Sequence, residues 1–403
     1  NIYFGTEGGG ITILDKKTET TRFLSASTSS ELSGNSVKSM LFSEKGVLWI
    51  GTFSNGLSAY DTKSQQIINN TISPDLRNLL KETGVYVIKK GSDNNVLWLG
   101  TFGKGLIRYD TSNNTYQIIG NDNYSDNFLS STRIRTLLID KNDNIWIGTQ
   151  SGLNQINLND FENKNYRVKH YFFDNNVLSG DDILTLFQDN KNRIWVGTKA
   201  KGLYLFNGKT FNKININIGN TAITSIHSIS EDSKNNLWFS SNYGIIRYNP
   251  AKKSLIVFNQ KDGLVGNEFN DNSSLRLGSN KFYFGGPLGV SYFDSDHIAV
   301  NSYSPQVILT SFNIKNQSVN VNTDQDVLDK SITYTKSLTL SYDKANFSIN
   351  FAIPNFINST NNRYSYRLVG LENNWTTTKN TEAVYTIQKP GTYIFEVRGA
   401  NND

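Results

Sequence analysis

Bulky apolar residues and polar turn residues recur along the first 294 positions in one fixed order. The clearest unit is VLWIGTFSNGLSAYD at 47–61. Leu48, Trp49 and Ile50 form a run suited to a strand buried on both faces. Gly51 has no side chain and so admits a neighbouring sheet closely. Asn55 and Gly56 supply the positive φ of a tight hairpin turn. Leu57, Ala59 and Tyr60 carry the chain back as a second strand.

Six further copies read IYFGTEGGGITILD from Ile2, VLWLGTFGKGLIRYD from Val96, NIWIGTQSGLNQIN from Asn144, RIWVGTKAKGLYLFN from Arg193, NLWFSSNYGIIRYN from Asn236 and KFYFGGPLGVSYFD from Lys281. Their aromatic anchors are Tyr3, Trp49, Trp98, Trp146, Trp195, Trp238 and Tyr283, spaced by 46, 49, 48, 49, 43 and 45 residues. The spacers add a strand on each side, such as SVKSMLFSEKG before Trp49 and QQIINNT after Tyr60. Four strands per unit at a period of roughly 40–50 residues predict β-propeller blades. One blade alone exposes two apolar faces, and stacking in a ring buries both. The copies therefore predict a seven-bladed propeller over residues 1–303, its first blade without an innermost strand. The once-per-blade tryptophans are expected in the packing between blades. The turn DKNDNIW is slightly similar to the Asp-box of sialidases and reads as a polar hairpin beside a buried Trp. The spacer at 69–90 predicts a short helical turn packed down by Leu76, Leu79 and Leu80.

After 303 the pattern changes. PQVILTSFNI from Pro305, then KSLTLSYDKANFSINFAIPNF, RYSYRLVGLENNW and AVYTIQKPGTYIFEVRGAN, read as short strands with a turn at Pro390-Gly391. Tyr364, Tyr366 and Leu368 on one strand, and Val384 and Thr386 on another, are expected to form buried faces. Trp375 is expected to pack in the same module. These strands predict a small immunoglobulin-like β-sandwich over residues 304–403, and the fold class is all-β.

Here a resemblance enters. YSYRLVGLENNW and PGTYIFEVRGANND resemble the three-tyrosine (Y_Y_Y) domain that follows sensor propellers in bacterial two-component receptors, with Tyr364, Tyr366 and Tyr393 matching its named aromatics. DGLVGNEFN from Asp262, FGGPLGV from Phe284 and PQVILTSFNI resemble the closing blade of the periplasmic sensor region of hybrid two-component systems. The resemblance covers essentially the whole chain. It implies the periplasmic portion of an inner-membrane protein, with an N-terminal propeller upstream and a membrane span, histidine kinase and fused response regulator downstream. It further implies an oligosaccharide ligand and control of polysaccharide-utilisation genes. A homodimer through the sandwich is expected as the relay. The sequence starts inside a strand without Met and stops just after one, as expected of a piece of a longer receptor.

Composition narrows the chemistry. Aromatics make up 12% and charged residues only 19%, a mix suited to an all-β globule. The 40 Lys and Arg against 35 Asp and Glu leave +5, with no basic run that suggests nucleic acid. No cysteine is present, which excludes disulfides and thiolate chemistry. No stretch reaches the roughly 20 apolar residues of a membrane span. His170, His227 and His297 show no metal-ligand spacing and read as ordinary surface or packed histidines. No nucleophile-elbow motif occurs, and the glycine-rich TEGGG and GTFGKG lie between strands as hairpin turns. No catalytic residue, metal or cofactor is therefore expected. A propeller glycosidase or lyase would need paired carboxylates, for which Asp181, Asp182 and Glu268 are the candidates. A protein-interaction scaffold is the other alternative.

A binding role fits the loops better. In a propeller, the loops inside the middle hairpins and those joining consecutive blades share one face around the central channel. Repeat alignment places Glu7, Asn55, Lys104, Ser151, Lys199, Lys201 and Tyr243 in the first class. It places Asn35, Thr83, Arg133, Asp181, Asp182, Ser225 and Glu268 in the second. Aromatic planes suit sugar rings, planar polar groups suit hydroxyls, and Arg or Lys suits uronate or sulfate. Lys104, Arg133, Lys199, Lys201, Tyr243 and Glu268 are the expected ligand-binding residues.

Overall fold

The structure, a computed structural model, describes residues 1–29, 31–120, 127–171, 182–298, 306–321, 327–355, 359 and 362–401. The chain forms two compact units, Asn1–Asp296 and His297–Asp403.

Seven antiparallel blade sheets follow one another through the first unit, with a two-stranded hairpin, Asn217–Ile218 and Thr221–Ala222, between the fifth and sixth. The second is typical: Val37–Phe42, Val47–Thr52, Leu57–Asp61 and Gln66–Ile67 lie side by side in chain order. Blades two to six each have four such strands. The first has three, Ile2–Gly5, Ile11–Leu14 and Thr21–Leu24, in register with the second to fourth strands of the others. The seventh also has three, Ser274–Leu277, Lys281–Gly286 and Gly289–Asp294; the outer strand expected of every blade is missing there among the described residues. The succession closes on itself. The Phe4 ring of blade one lies 6.5 Å from the Tyr283 ring of blade seven. Asn272 Nδ2 of blade seven donates to the Arg135 carbonyl of blade four at 3.1 Å. The propeller is thus seven-bladed.

The core sits at the seams. Trp49 packs with Val85, Leu97, Leu99 and Tyr109 of the next blade. Trp146 packs with Ile183, Ile194 and Val196, and Trp195 with Ile226, Leu237 and Phe239. The five tryptophans are buried, as their register required. The helix Pro74–Leu80 starts at Ser73, whose hydroxyl accepts from the Leu76 N–H, and it buries Leu76 and Leu80.

Three of these indoles carry a polar tether. Asp140, Asp189 and Asp232 are buried, and each accepts from the Nε1–H of the tryptophan six residues on, at 2.7, 2.8 and 2.9 Å. The other oxygen of Asp140 accepts the N–H groups of Asn142 and Asn144, both at 2.9 Å. One carboxylate therefore shapes the hairpin and orients the indole together. In blade two the place is taken by Ser43, which accepts only from the Val47 N–H.

A second device joins blades through backbone. Gly10, Gly56 and Gly202 donate their N–H to the carbonyls of Asn35, Thr83 and Thr224 in the next blade, at 2.8, 2.9 and 2.7 Å. At Gly10, φ is +77° and a Cβ would lie 2.2 Å from the Leu24 carbonyl oxygen, so no other residue fits.

The second unit is a sandwich. One sheet orders Gln317–Ser318, Ile308–Ile314, Asn346–Ala352 and Glu382–Thr386; the other orders Thr376–Thr378, Arg363–Val369 and Ile394–Ala400. Phe312, Phe351, Tyr364, Leu368 and Tyr385 fill the core. One expectation needs correction. Ala383 and Tyr385 are the inward residues of their strand, and Val384 is exposed, because the period-2 register falls one residue away from the reading made on Val384 and Thr386. Trp375 lies outside the core cluster, between the guanidinium groups of Arg367 and Arg398 at 4.7 and 4.3 Å from its ring centre.

Asp140→Ala strands the Trp146 N–H and two backbone donors. It is expected to cost about 2–3 kcal/mol, read from the urea midpoint. Ser43→Ala should cost less than about 1 kcal/mol. Equal losses would show that the tether carries no special weight.

Candidate functional site

Each innermost strand of blades two to six contains a register shift against its neighbour. The residues skipped are Lys38, Tyr86, Arg135, Leu184 and His227. A bulge turns one side chain out of the alternating pattern and often does so beside a binding site. Every bulge here lies at the end of the strand that meets the middle-hairpin loops. The Thr or Ser that ends the preceding motif closes each loop: Thr52, Thr101, Thr198 and Ser241 donate from their hydroxyls to the carbonyls of Gly56, Gly105, Gly202 and Gly244.

The bulged residues and loop residues interleave around the ring. Lys38 Nζ is 3.0 Å from Glu7 Oε1 of blade one and 5.3 Å from the centre of the Phe53 ring. Phe53 lies 5.8 Å from Tyr86, and Tyr86 stacks on Phe102 at 4.5 Å and 12°. The guanidinium carbons of Arg133 and Arg135 lie 5.4 and 5.3 Å from the Phe102 ring centre. Arg135 then grips Asp182 with two hydrogen bonds, at 3.1 and 3.0 Å. Phe53 remains exposed. Burial raises the Tyr86 phenol, while the Arg135 charge opposes that and Glu7 adds to it.

The far side of the ring holds a second network. His227 meets Asp271 Oδ1 at 2.7 Å and Asn242 Oδ1 at 2.6 Å. Burial by itself disfavours the imidazolium. The bonds to Asp271 and Asn242, with the charges of Asp271 and Glu268, outweigh that and raise its pKa. Two acceptors facing the two ring nitrogens suit a doubly protonated ring. Asn272, next to Asp271, donates its N–H to the His227 carbonyl and its side chain to the Arg135 carbonyl.

The expected residues are distributed as follows. Arg133 lies on the aromatic stack, its Nη1 at 3.3 Å from Gln150 Oε1. Lys104 sits between Gly103 and Gly105, whose N–H groups both donate to the Thr132 carbonyl beside Arg133. Lys199 donates its N–H to the Asp182 carbonyl and accepts from the Ser225 hydroxyl on its own carbonyl. The N–H groups of Asn55, Lys104, Ser151, Lys201 and Tyr243 are held by the loop hydroxyls. Tyr243 is exposed beside Asn242, and Glu268 acts electrostatically on His227. Asn35 and Thr83 serve as joints between blades through their carbonyls. Asp181 lies outside the described residues, and Asp182 is engaged by Arg135. No cluster able to hold a metal occurs among the described residues. Lys38, Phe53, Tyr86, Phe102 and Arg135 were not anticipated. The phenylalanine after Gly-Thr in blades two and three alone was the available signal.

Comparison with known proteins gives the class. Two-component regulator propeller repeats match residues 31–54, 129–151, 177–200 and 222–243, and the Y_Y_Y domain matches residues 355–403. The chain thus carries two-component regulator propeller repeats and a Y_Y_Y domain. It is 45% identical over 402 residues to Histidine kinase P4 of Formosa agariphila, and spans 29% of that relative's length while aligning along 100% of its own. Two similar folds are extracellular domains assigned to hybrid two-component systems of B. thetaiotaomicron. The first has a TM-score of 0.79 at 24% identity, covering 100% of this chain and 52% of the other. The second has a TM-score of 0.54 at 22% identity, covering 98% and 52%. PorZ of Porphyromonas gingivalis, a surface component of the type-IX secretion system, shares the fold with a TM-score of 0.54 at 14% identity, covering 98% and 54%.

The raised pKa sets a sign. Stability from the His227–Asp271 pair is complete below the unfolded value of about 6.5 and is lost as pH rises through the higher folded pKa. Asp271→Asn should lower the His227 pKa and flatten the melting temperature across that window. Ring-proton NMR titration reads it directly, and an unchanged His227 pKa in the variant would refute the assignment.

Proposed function

We propose that the chain is the ligand-sensing extracytoplasmic part of a membrane-bound hybrid two-component receptor. It recognises an oligosaccharide at the channel mouth and relays its state to a cytoplasmic histidine kinase. One observation carries this reading: loop residues Phe53 and Phe102 flank the bulged Tyr86 in one row of rings, with Lys38, Arg133 and Arg135 around it. Phe53 keeps an exposed ring on which the apolar face of a sugar can lie. The surrounding amides and charges supply directional partners for hydroxyls.

The wider setting belongs to the same proposal. The propeller region 1–303 is the sensing part and 304–403 the relay. An N-terminal propeller precedes them, and a membrane span leads to the kinase. The location is the periplasmic side of the inner membrane. Among the described residues no helix is long and apolar enough to cross a membrane. The Formosa agariphila relative, named a histidine kinase, supports the output. A homodimer through the sandwich is supported by Ile394 and Val384, both more than half exposed on its strands.

Phe53→Ala is expected to weaken oligosaccharide binding about tenfold or more by isothermal titration, with an unchanged melting temperature. Binding equal to that of the parent chain would refute the assigned surface. In sedimentation the chain should run as a concentration-dependent dimer, and Ile394→Asp as a monomer. A parent chain monomeric at every concentration tested would refute the dimer.

A further inference from the structure

Two guanidinium groups lie against one aromatic ring, and they are not equivalent. Arg135 has a carboxylate partner in Asp182, held by two hydrogen bonds. Lys38 likewise has Glu7. Arg133 lies at the same distance from Phe102 as Arg135, yet its hydrogen-bonding partner is the neutral side chain of Gln150. Among the described residues, Lys38, Arg133 and Arg135 are set here beside the carboxylates of Glu7 and Asp182, and Lys104 lies in the loop next to Arg133.

The backbone of Arg133 is fixed from three sides. It bridges to Phe102, its N–H donates to the Ser131 hydroxyl at 3.1 Å, and its carbonyl accepts from the Gln150 N–H at 3.1 Å. Stacking on Phe102 then restrains the guanidinium plane. A guanidinium already restrained by stacking loses less freedom when it binds an anion. An arriving anion also offsets the repulsion between two cations that share one ring. Planar or tetrahedral oxyanions match the donor fork. Phe53, the third ring of the row that starts at Phe102, supplies the plane for a sugar.

Resting on the reading of the channel mouth given above, we propose that the sensed oligosaccharide is anionic. Arg133, assisted by Lys104, takes a carboxylate or sulfate of one residue, while Phe53 carries the ring of another.

Isothermal titration of the chain with two matched pairs tests this. One pair is tetragalacturonate and its carboxyl-reduced counterpart. The other is a sulfated galactan tetrasaccharide and its desulfated counterpart. At least one charged member should bind about tenfold or more tightly than its neutral partner, and the pair that shows this identifies the anion. The advantage should shrink with added salt. Arg133→Gln should abolish the preference by weakening the charged member far more than the neutral one, whereas Phe53→Ala should weaken charged and neutral members alike. Melting curves verify that both variants are folded. Equal affinity within both pairs, or a preference that survives Arg133→Gln, overturns the anionic ligand and leaves a neutral-sugar sensor standing. Absence of binding by every member overturns the sugar site itself.

Discussion

A propeller blade has two apolar faces and can bury neither alone. Everything distinctive in residues 1–296 answers that constraint. The bulky strand centred on Trp49, Trp98, Trp146, Trp195 or Trp238 packs at a seam, so each core cluster draws on two consecutive blades. Burial of this kind is non-directional and would tolerate sliding of one sheet over the next. Directional bonds remove that freedom. The indole-to-aspartate bonds of blades four to six fix the ring orientation, and glycine N–H groups in the hairpin loops reach the next blade's carbonyls. Apolar area supplies most of the free energy; the few polar bonds set the register.

The same loops that lock the seams carry the proposed binding face. A loop that must donate to its neighbour comes close to that neighbour's inner strand, and the bulge in that strand turns a side chain back toward it. Glu7 with Lys38, Phe53 with Tyr86 and Phe102 with Arg135 are three instances at three consecutive seams. Scaffold and site are thus one device: the backbone contacts recur, and the side chains mounted on them vary. That variation is where specificity can differ between proteins of one architecture.

The propeller was legible because its signal repeats. Seven aromatic anchors at near-constant spacing overdetermine the blade pattern, and Leu76, Leu79 and Leu80 pointed to the short α-helix of the long spacer. The sandwich was legible in outline, but one strand was read a residue out of register, since Val384 is as apolar as the inward Ala383 is small. The site was half legible. Repeat alignment finds residues in loops, so it reached Arg133, Lys104 and Tyr243. It could not reach Lys38, Tyr86 or Arg135, because an alternating strand places them on the wrong face and only the bulge brings them round. A bulge leaves no mark in the hydrophobic pattern of a single sequence.

His227 shows how a residue without a motif acquires a role through neighbours. Alone it is an unremarkable polar residue on an inner strand. Its bulge sets it between Asn242 of its own blade and Asp271 of the last, and Asn272 then spans to the Arg135 carbonyl across the ring. The aromatic stack and the seventh blade are therefore joined by a short series of hydrogen bonds rather than by packing alone. Coupling between a site and a distant element requires that both share an arrangement that a ligand can bias. Arg135 is the shared member here: its side chain belongs to the stack and to Asp182, its carbonyl to the turn at Asn272. A displacement of the Arg135 strand is therefore felt at the Asn272 bond of the last blade.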